Sequence, residues 1–197
     1  MSPASTYDRV AKSLHWLIAL AIIFMLVLGW MLEDLQGQDK FRAFQLHKSV
    51  GITILLLSLI RLGWRLTHRF PVLPETMSKT EKLAAHLGHW GLYALMIVMP
   101  LTGWVIVSTS KLAIPTLLFG IVPWPHLPML PDLENKRAIH EIGKNMHGIL
   151  ATAMAGLAGV HALAALKHHF ISRDDILLRM TPNFLARPLQ CLRGKKS

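Results

Sequence analysis

The sequence predicts an all-α membrane protein, a single-domain bundle of four transmembrane helices, and three observations predict it. The 197 residues are 52% hydrophobic and only 16% charged, whereas soluble domains carry about a quarter charged residues. The apolar residues gather into four long runs. The basic residues, which leave a net charge of +10, stand at the ends of those runs and not in aromatic-interleaved patches. That placement argues against nucleic acid and for a lipid bilayer as the partner.

The runs are Ser13 to Leu32, His47 to Leu66, Leu83 to Thr109 and Asn145 to Leu166. About 20 residues at 1.5 Å each cross the hydrocarbon, and three of the runs reach that length without a charge. In the second, only twelve uncharged residues separate Lys48 from Arg61, so either its ends snorkel or Arg61 faces a bound group. The first run has basic residues before it, but it is longer than a signal-peptide core and ends in GWMLED with no small-residue cleavage site, so it reads as retained. With the N-terminus inside, the inner segments hold fourteen Lys and Arg and the outer loops seven. The positive-inside rule then puts both termini in the cytoplasm and the proline-rich loop from Ser110 to Lys136 outside. Residues 1–182 form the membrane domain and 183–197 a basic cytoplasmic tail.

Histidines mark the chemistry. HGILATAMAGLAGVH, residues 147 to 161, places thirteen residues between two imidazoles, with Thr152 the one polar side chain among them. Fourteen residues at 100° each return to within about 40° of the same face after a rise of about 21 Å. His147 and His161 therefore share a face near opposite membrane surfaces. The topology sets His15, at the inner start of the first helix, level with His161, and His47, at the outer start of the second, level with His147. Each layer then has one histidine from each of two helices, the arrangement that two bis-histidine haems stacked across a bundle require. The sole cysteine, Cys191, lies in the tail and there is no C-x-x-C-H, so covalent c-type attachment is excluded and the expected groups are two bis-histidine haems enclosed by the bundle. A closed zinc site is short of ligands at two per layer, and HEIGK from His140 lacks the second histidine of H-E-x-x-H.

Taken together, LHWL at 14–17, LHKSVGITIL at 46–55, RLGWRL at 61–66, AHLGH at 85–89, HALAALKHHF at 161–170 and DDILLRMTP at 174–182 resemble the bacterial cytochrome b561 family, superoxide oxidases of the inner membrane included. The resemblance implies His15 with His161 for a cytoplasmic-side haem b and His47 with His147 for a periplasmic-side one. It also implies a ubiquinone pocket near the inner haem. His86, His89 and His168 all fall near the cytoplasmic surface. They are either proton donors for quinone reduction or interfacial histidines solvated by water and headgroups. Arg61 and Arg65, four apart on one face, either pair haem propionates or serve as positive-inside anchors.

On the outer side Lys48 adjoins His47 and Lys144 lies one turn before His147, cations that attract superoxide or pair propionates. The outer loops, with six acidic residues, carry a net charge of only +1, so the attraction is local. The reading that follows is one-electron transfer between the periplasmic face and membrane ubiquinone, with superoxide as donor. Two rivals stand beside it. One is a cytochrome b anchor that exchanges electrons with a periplasmic redox partner through the 110–136 loop. The other is a haem-free metal carrier using the same histidines.

Overall fold

The computed structural model describes residues 6–112 and 114–193; the end of the basic tail, 194–197, lies outside them. Four long helices account for most of the chain: α1 (Arg9–Met31), α2 (Gly37–Thr67), α3 (Lys79–Ser108) and α4 (Lys136–Lys167). All four are long and apolar enough to cross a membrane. Two begin on clear local signals. Asp8 caps α1 by accepting from the Ala11 N–H at 2.8 Å, and Ser78 and Glu81 form a reciprocal capping box on α3. Pro100 sits inside α3 without ending it, as bundled membrane helices allow.

The buried residues of α1 include Ala11, Ile18 and Met25, and the capping Leu32 just past its end continues the series. Their seven-residue spacing keeps one narrow seam on the bundle axis, while Leu17, Leu20, Ile23 and Val27 are exposed on the outer surface. Those outward side chains suit lipid, because a helix in a bilayer has no hydrophobic drive to hide them. Consecutive helices pack in order, α1 on α2, α2 on α3 and α3 on α4. Ile18, Tyr93, Met96 and Met154 meet in the central core. By contrast α4 does not pack closely on α1 or α2.

Helices α2 and α4 begin about ten residues before their apolar runs. At 31 residues α2 is about 46 Å long, well beyond the roughly 30 Å of hydrocarbon. Hydropathy misses the extra turns because they are polar and charged, and the polar side chains at this end of α2 hold the outer loop. Gln45 Nε2 and Lys48 Nζ both donate to the Pro115 carbonyl, at 3.0 and 3.3 Å. The Ser49 hydroxyl accepts from Phe119 N–H at 2.9 Å. That proline-rich loop contains a hairpin of β1 (Thr116–Leu118) and β2 (Val122–Trp124) in antiparallel register. Leu118 pairs with Val122 across a three-residue connection, in which Phe119 and Gly120 both have positive φ, 50° and 76°, the left-handed backbone that turns the chain back on itself.

After α4 the chain makes one π turn at His168–Ser172, then α5 (Ile176–Met180) and α6 (Asn183–Arg193). Trp16 Nε1–H donates to the Met180 carbonyl at 3.0 Å, and Lys167 meets Glu81 at 2.7 Å. This end of the bundle is thereby closed by contacts from α1, α3 and α4.

Asp8 also accepts from the Trp64 indole at 3.1 Å, tying α1 to α2. Burial alone would raise its carboxyl pKa, but hydrogen bonds from Ala11, Trp64 and Val10 outweigh it and hold the pKa below the ordinary value. The stabilisation is therefore present above the unfolded-state pKa and is lost as pH falls through the lower folded-state one. Asp8→Ala is predicted to cost about 1 kcal/mol in thermal unfolding at neutral pH, with the difference from wild type vanishing under acid. Equal stability at neutral pH would show that the cap contributes nothing.

Candidate functional site

Four histidines form two facing pairs. His15 on α1 faces His161 on α4 with ring centroids 6.1 Å apart and planes at 67°. His47 on α2 faces His147 on α4, also at 6.1 Å, with planes at 61°. The spacing discriminates between two explanations. A direct N–H···N bond of about 2.9 Å would bring the centroids to roughly 5 Å. Two metal–imidazole bonds of about 2.0 Å, with about 1.1 Å of ring on each side, require roughly 6 Å. The second agrees with both pairs, and no hydrogen bond joins the partners. Because α4 does not pack closely on α1 or α2, the imidazoles reach across helices that stand apart.

Local contacts fix the outer pair. His147 Nδ1 lies 3.2 Å from the Met99 carbonyl and 2.9 Å from Thr102 Oγ1. A carbonyl can only accept, so Nδ1 carries the proton and Nε2 keeps its lone pair, the tautomer a metal needs. The Thr102 hydroxyl is itself turned onto Met99 O at 2.6 Å, which leaves its oxygen free to accept from the ring. His47 Nδ1 is buried without a hydrogen-bond partner. Two glycines give the rings room: a Cβ on Gly29 would stand 3.6 Å from His47 Cε1, and one on Gly103 3.4 Å from His147 Cε1. Taken with the buried nitrogen of His47, the residues fit a planar metallocofactor held by an imidazole on each face.

The remaining candidates separate. His89 joins the inner layer, its ring 5.3 Å from His161, a place that its position near the third helix's start did not foretell. His86 is exposed and bonds the Lys82 carbonyl of its own helix at 2.7 Å. His168 is nearly buried and pairs through Nδ1 with Asp174 Oδ2 at 2.6 Å. Sequence reasoning missed Asp174, six residues on, because the π turn that brings it back has no periodicity signal. Arg61 donates to the Ala11 carbonyl at 2.8 Å, while the Arg65 guanidinium lies over the rings of Phe70 and Tyr93 at 5.5 and 5.8 Å. Lys48 is held by Pro115 and Lys144 by Glu141, at 3.3 and 3.4 Å. Among the described residues no three His, Cys, Asp or Glu converge on one metal position.

His140, weighed in the sequence only as the start of HEIGK, lies one heptad outward from His147 on α4, and its Nδ1 donates to the Ile106 carbonyl at 3.0 Å. The seven-residue series His140, His147, Met154, His161, His168 was the available signal.

A four-helix membrane bundle with imidazole pairs facing across separated helices defines a class, the membrane cytochromes b. Residues 6–183 match the prokaryotic cytochrome b561 family, and the chain belongs to it. Cytochrome b561 homolog 2 of Escherichia coli strain K12 is 34% identical over 176 residues, 88% of this chain and 90% of that protein. A probable superoxide oxidase, CybB of Yersinia pestis, is 31% identical over 185 residues, 89% and 96% of the two chains. Cytochrome b562 of Cereibacter sphaeroides is 29% identical over 188 residues, 91% and 98%. The protein is thus a bacterial integral membrane protein of electron transfer, in a family that carries b-type haem.

Gly103→Val is predicted to push on the His147 ring and cost about 1–3 kcal/mol, the usual range for overpacking. Gly63→Ala, where nothing lies within 4 Å of an added Cβ, should leave stability unchanged or raise it by up to about 1 kcal/mol. Equal thermal unfolding temperatures for the two variants would contradict the close fit at His147.

Proposed function

We propose that the protein is a superoxide:ubiquinone oxidoreductase carrying two b-type haems, and that both termini lie in the cytoplasm. The observation that supports it best is the pair of imidazole pairs at equal 6.1 Å spacing, one near each end of the bundle. His47 and His147 would hold the outer haem and His15 and His161 the inner one. When bound, the haem irons supply reversible one-electron transfer, chemistry that no side chain of this protein provides. The likeness to a probable superoxide oxidase favours superoxide as donor.

The chain's own residues orient and supply protons. Two superoxide anions give up one electron each and leave as dioxygen, and one quinone takes the two electrons with two protons to become quinol. Protons must come from the inner side of the bundle, where His168 and Asp174 form a 2.6 Å pair. The carboxylate fixes which ring nitrogen faces it, so the other nitrogen is the one available to a quinone oxygen. His89, inside the inner layer, is the second candidate; His86 on the helix surface would serve as a proton entry point. Arg61, fourteen residues beyond His47 on α2, has guanidinium donors left after bonding Ala11 and, with Arg65, suits the carboxylates of the inner haem.

A second reading, electron exchange with a periplasmic redox protein, has one observation in its favour. The hairpin that covers the outer end exposes Phe119, Ile121 and Val122, an apolar tip that suits protein contact.

In proteoliposomes containing ubiquinone, superoxide pulses are predicted to produce quinol. His168→Asn should slow quinol formation roughly 10²-fold or more while haem content stays intact. Superoxide that leaves the protein oxidised, in a preparation that a co-purifying protein does reduce, would establish the second reading instead. Thr102→Val removes one hydrogen bond to His147 and makes the ring a weaker base, so the midpoint potential of one haem should rise. The expected rise is roughly 20–60 mV, the one-electron equivalent of a neutral hydrogen bond. An unmoved potential would mean that His147 is not a ligand.

A further inference from the structure

The C-terminal helix α6 contributes none of the facing histidines, yet its side chains are sorted. Its sequence is NFLARPLQCLR. At 100° per residue, Phe184, Leu185, Pro188, Cys191 and Leu192 fall within an arc of about 120°. Arg187, Gln190 and Ala186 lie outside that arc. Phe184 is 76% exposed and Leu192 71%, so the apolar face points away from the protein. The helix is held by its opposite side: His169 Nε2–H donates to the Leu189 carbonyl at 3.1 Å. Ala186 and Gln190 line a cleft of about 400 Å³ with Thr6, Lys12, Asp175 and Arg179. These contacts reach the π turn that follows α4 and the first turn of α1, so α6 lies across the end of the bundle.

Its depth is set by neighbours. The Tyr7 amide donates to Arg179 O at 3.3 Å and the Trp16 indole to Met180 O at 3.0 Å. The segment leading into α6 is therefore level with the first two turns of α1, where that helix's lipid-facing surface begins at Leu17. Charge accompanies the apolar face. From residue 183 to the end the sequence carries Arg187, Arg193, Lys195 and Lys196 and no acidic residue. A short helix with an apolar face, an arginine flanking that face and a place at the membrane boundary has the make-up of an interfacial helix.

We propose that α6 docks on the anionic phospholipid surface of the adjoining leaflet, with Phe184, Leu185 and Leu192 among the acyl chains and Arg187 among the headgroups. The C-terminal segment is thus a lipid-binding element and not a solvated tail.

Cys191, the only cysteine, is exposed beside Leu192 and accepts a nitroxide without further substitution. The full-length haem protein is reconstituted in nanodiscs of phosphatidylcholine alone or mixed with phosphatidylglycerol, and the nitroxide is challenged with oxygen and with a water-soluble nickel chelate. Oxygen is expected to relax it more than the chelate does, and phosphatidylglycerol to lower chelate access. Arg187→Gln should weaken the phosphatidylglycerol effect roughly fivefold, the factor one basic residue contributes at an anionic surface. Phe184→Ser, alone or with Leu192→Ser, should open the nitroxide to the chelate while the haem spectrum is retained. Full chelate access in both discs overturns the proposal, and so does equal protection in both, which would mean that neutral lipid suffices. Protection that persists in detergent with a doubled particle mass also overturns it, in favour of a second copy of the chain.

Discussion

Imidazoles that face one another across α4 and its two partners, at two depths, are the constraint on which the rest of the bundle depends. A 6.1 Å centroid separation is too long for a direct hydrogen bond and close to what a metal between two nitrogens requires. Helices that meet through such pairs cannot also pack backbone to backbone. Accordingly α4 packs on α3, which takes no part in the facing pairs, and not closely on α1 or α2. Helix α3 instead supplies what positions the rings: the Met99 carbonyl, the Thr102 hydroxyl and the open surface of Gly103. For His147 the imidazole and its supports thus come from different helices, which fixes its ring tautomer independently of α4.

The bilayer imposes the other condition, that polar groups at depth find partners inside the protein. The serine and threonine hydroxyls of the spans mostly turn back on their own helix, as Thr53 does on Ser49 O at 2.9 Å. Polar side chains at the ends fasten loops: Trp104 donates to the Pro125 carbonyl, Ser108 accepts from Leu127, and Ser49 accepts from Phe119. The outer loop is consequently a structured cap over α2 and α3, and the inner end is closed by the π turn, α5 and α6. Both ends lie next to the histidine layers, so access to each layer is set by these caps.

Much of this was written plainly in the sequence. Four apolar runs gave the bundle because length and hydropathy are sufficient to define a membrane helix. The fourteen-residue interval between His147 and His161 placed two imidazoles on one face because helical periodicity is rigid over that distance. Other features are not periodic and left no such mark. The early starts of α2 and α4 were hidden because their first turns are polar and charged, with Asp39, Lys40, Arg42 and Gln45 in one and Lys136, Arg137, Glu141 and Lys144 in the other. Asp174 reaches His168 only through a π turn, and the positive φ of Phe119 is permitted by a hairpin that the surrounding prolines concealed. His89 was legible as a histidine near the inner surface, but its closeness to His161 depends on how α3 is rotated against α4. Hydropathy alone does not fix that rotation.

Haem stoichiometry and redox titration of the purified wild-type protein test the central claim most directly. If both histidine layers hold a cofactor, pyridine haemochrome analysis gives two b-type haems per chain, and the reduced-minus-oxidised spectrum titrates in two one-electron steps. A single haem per chain in well-folded protein from haem-sufficient cells would contradict the account, because one of two layers with the same 6.1 Å spacing would then have another purpose.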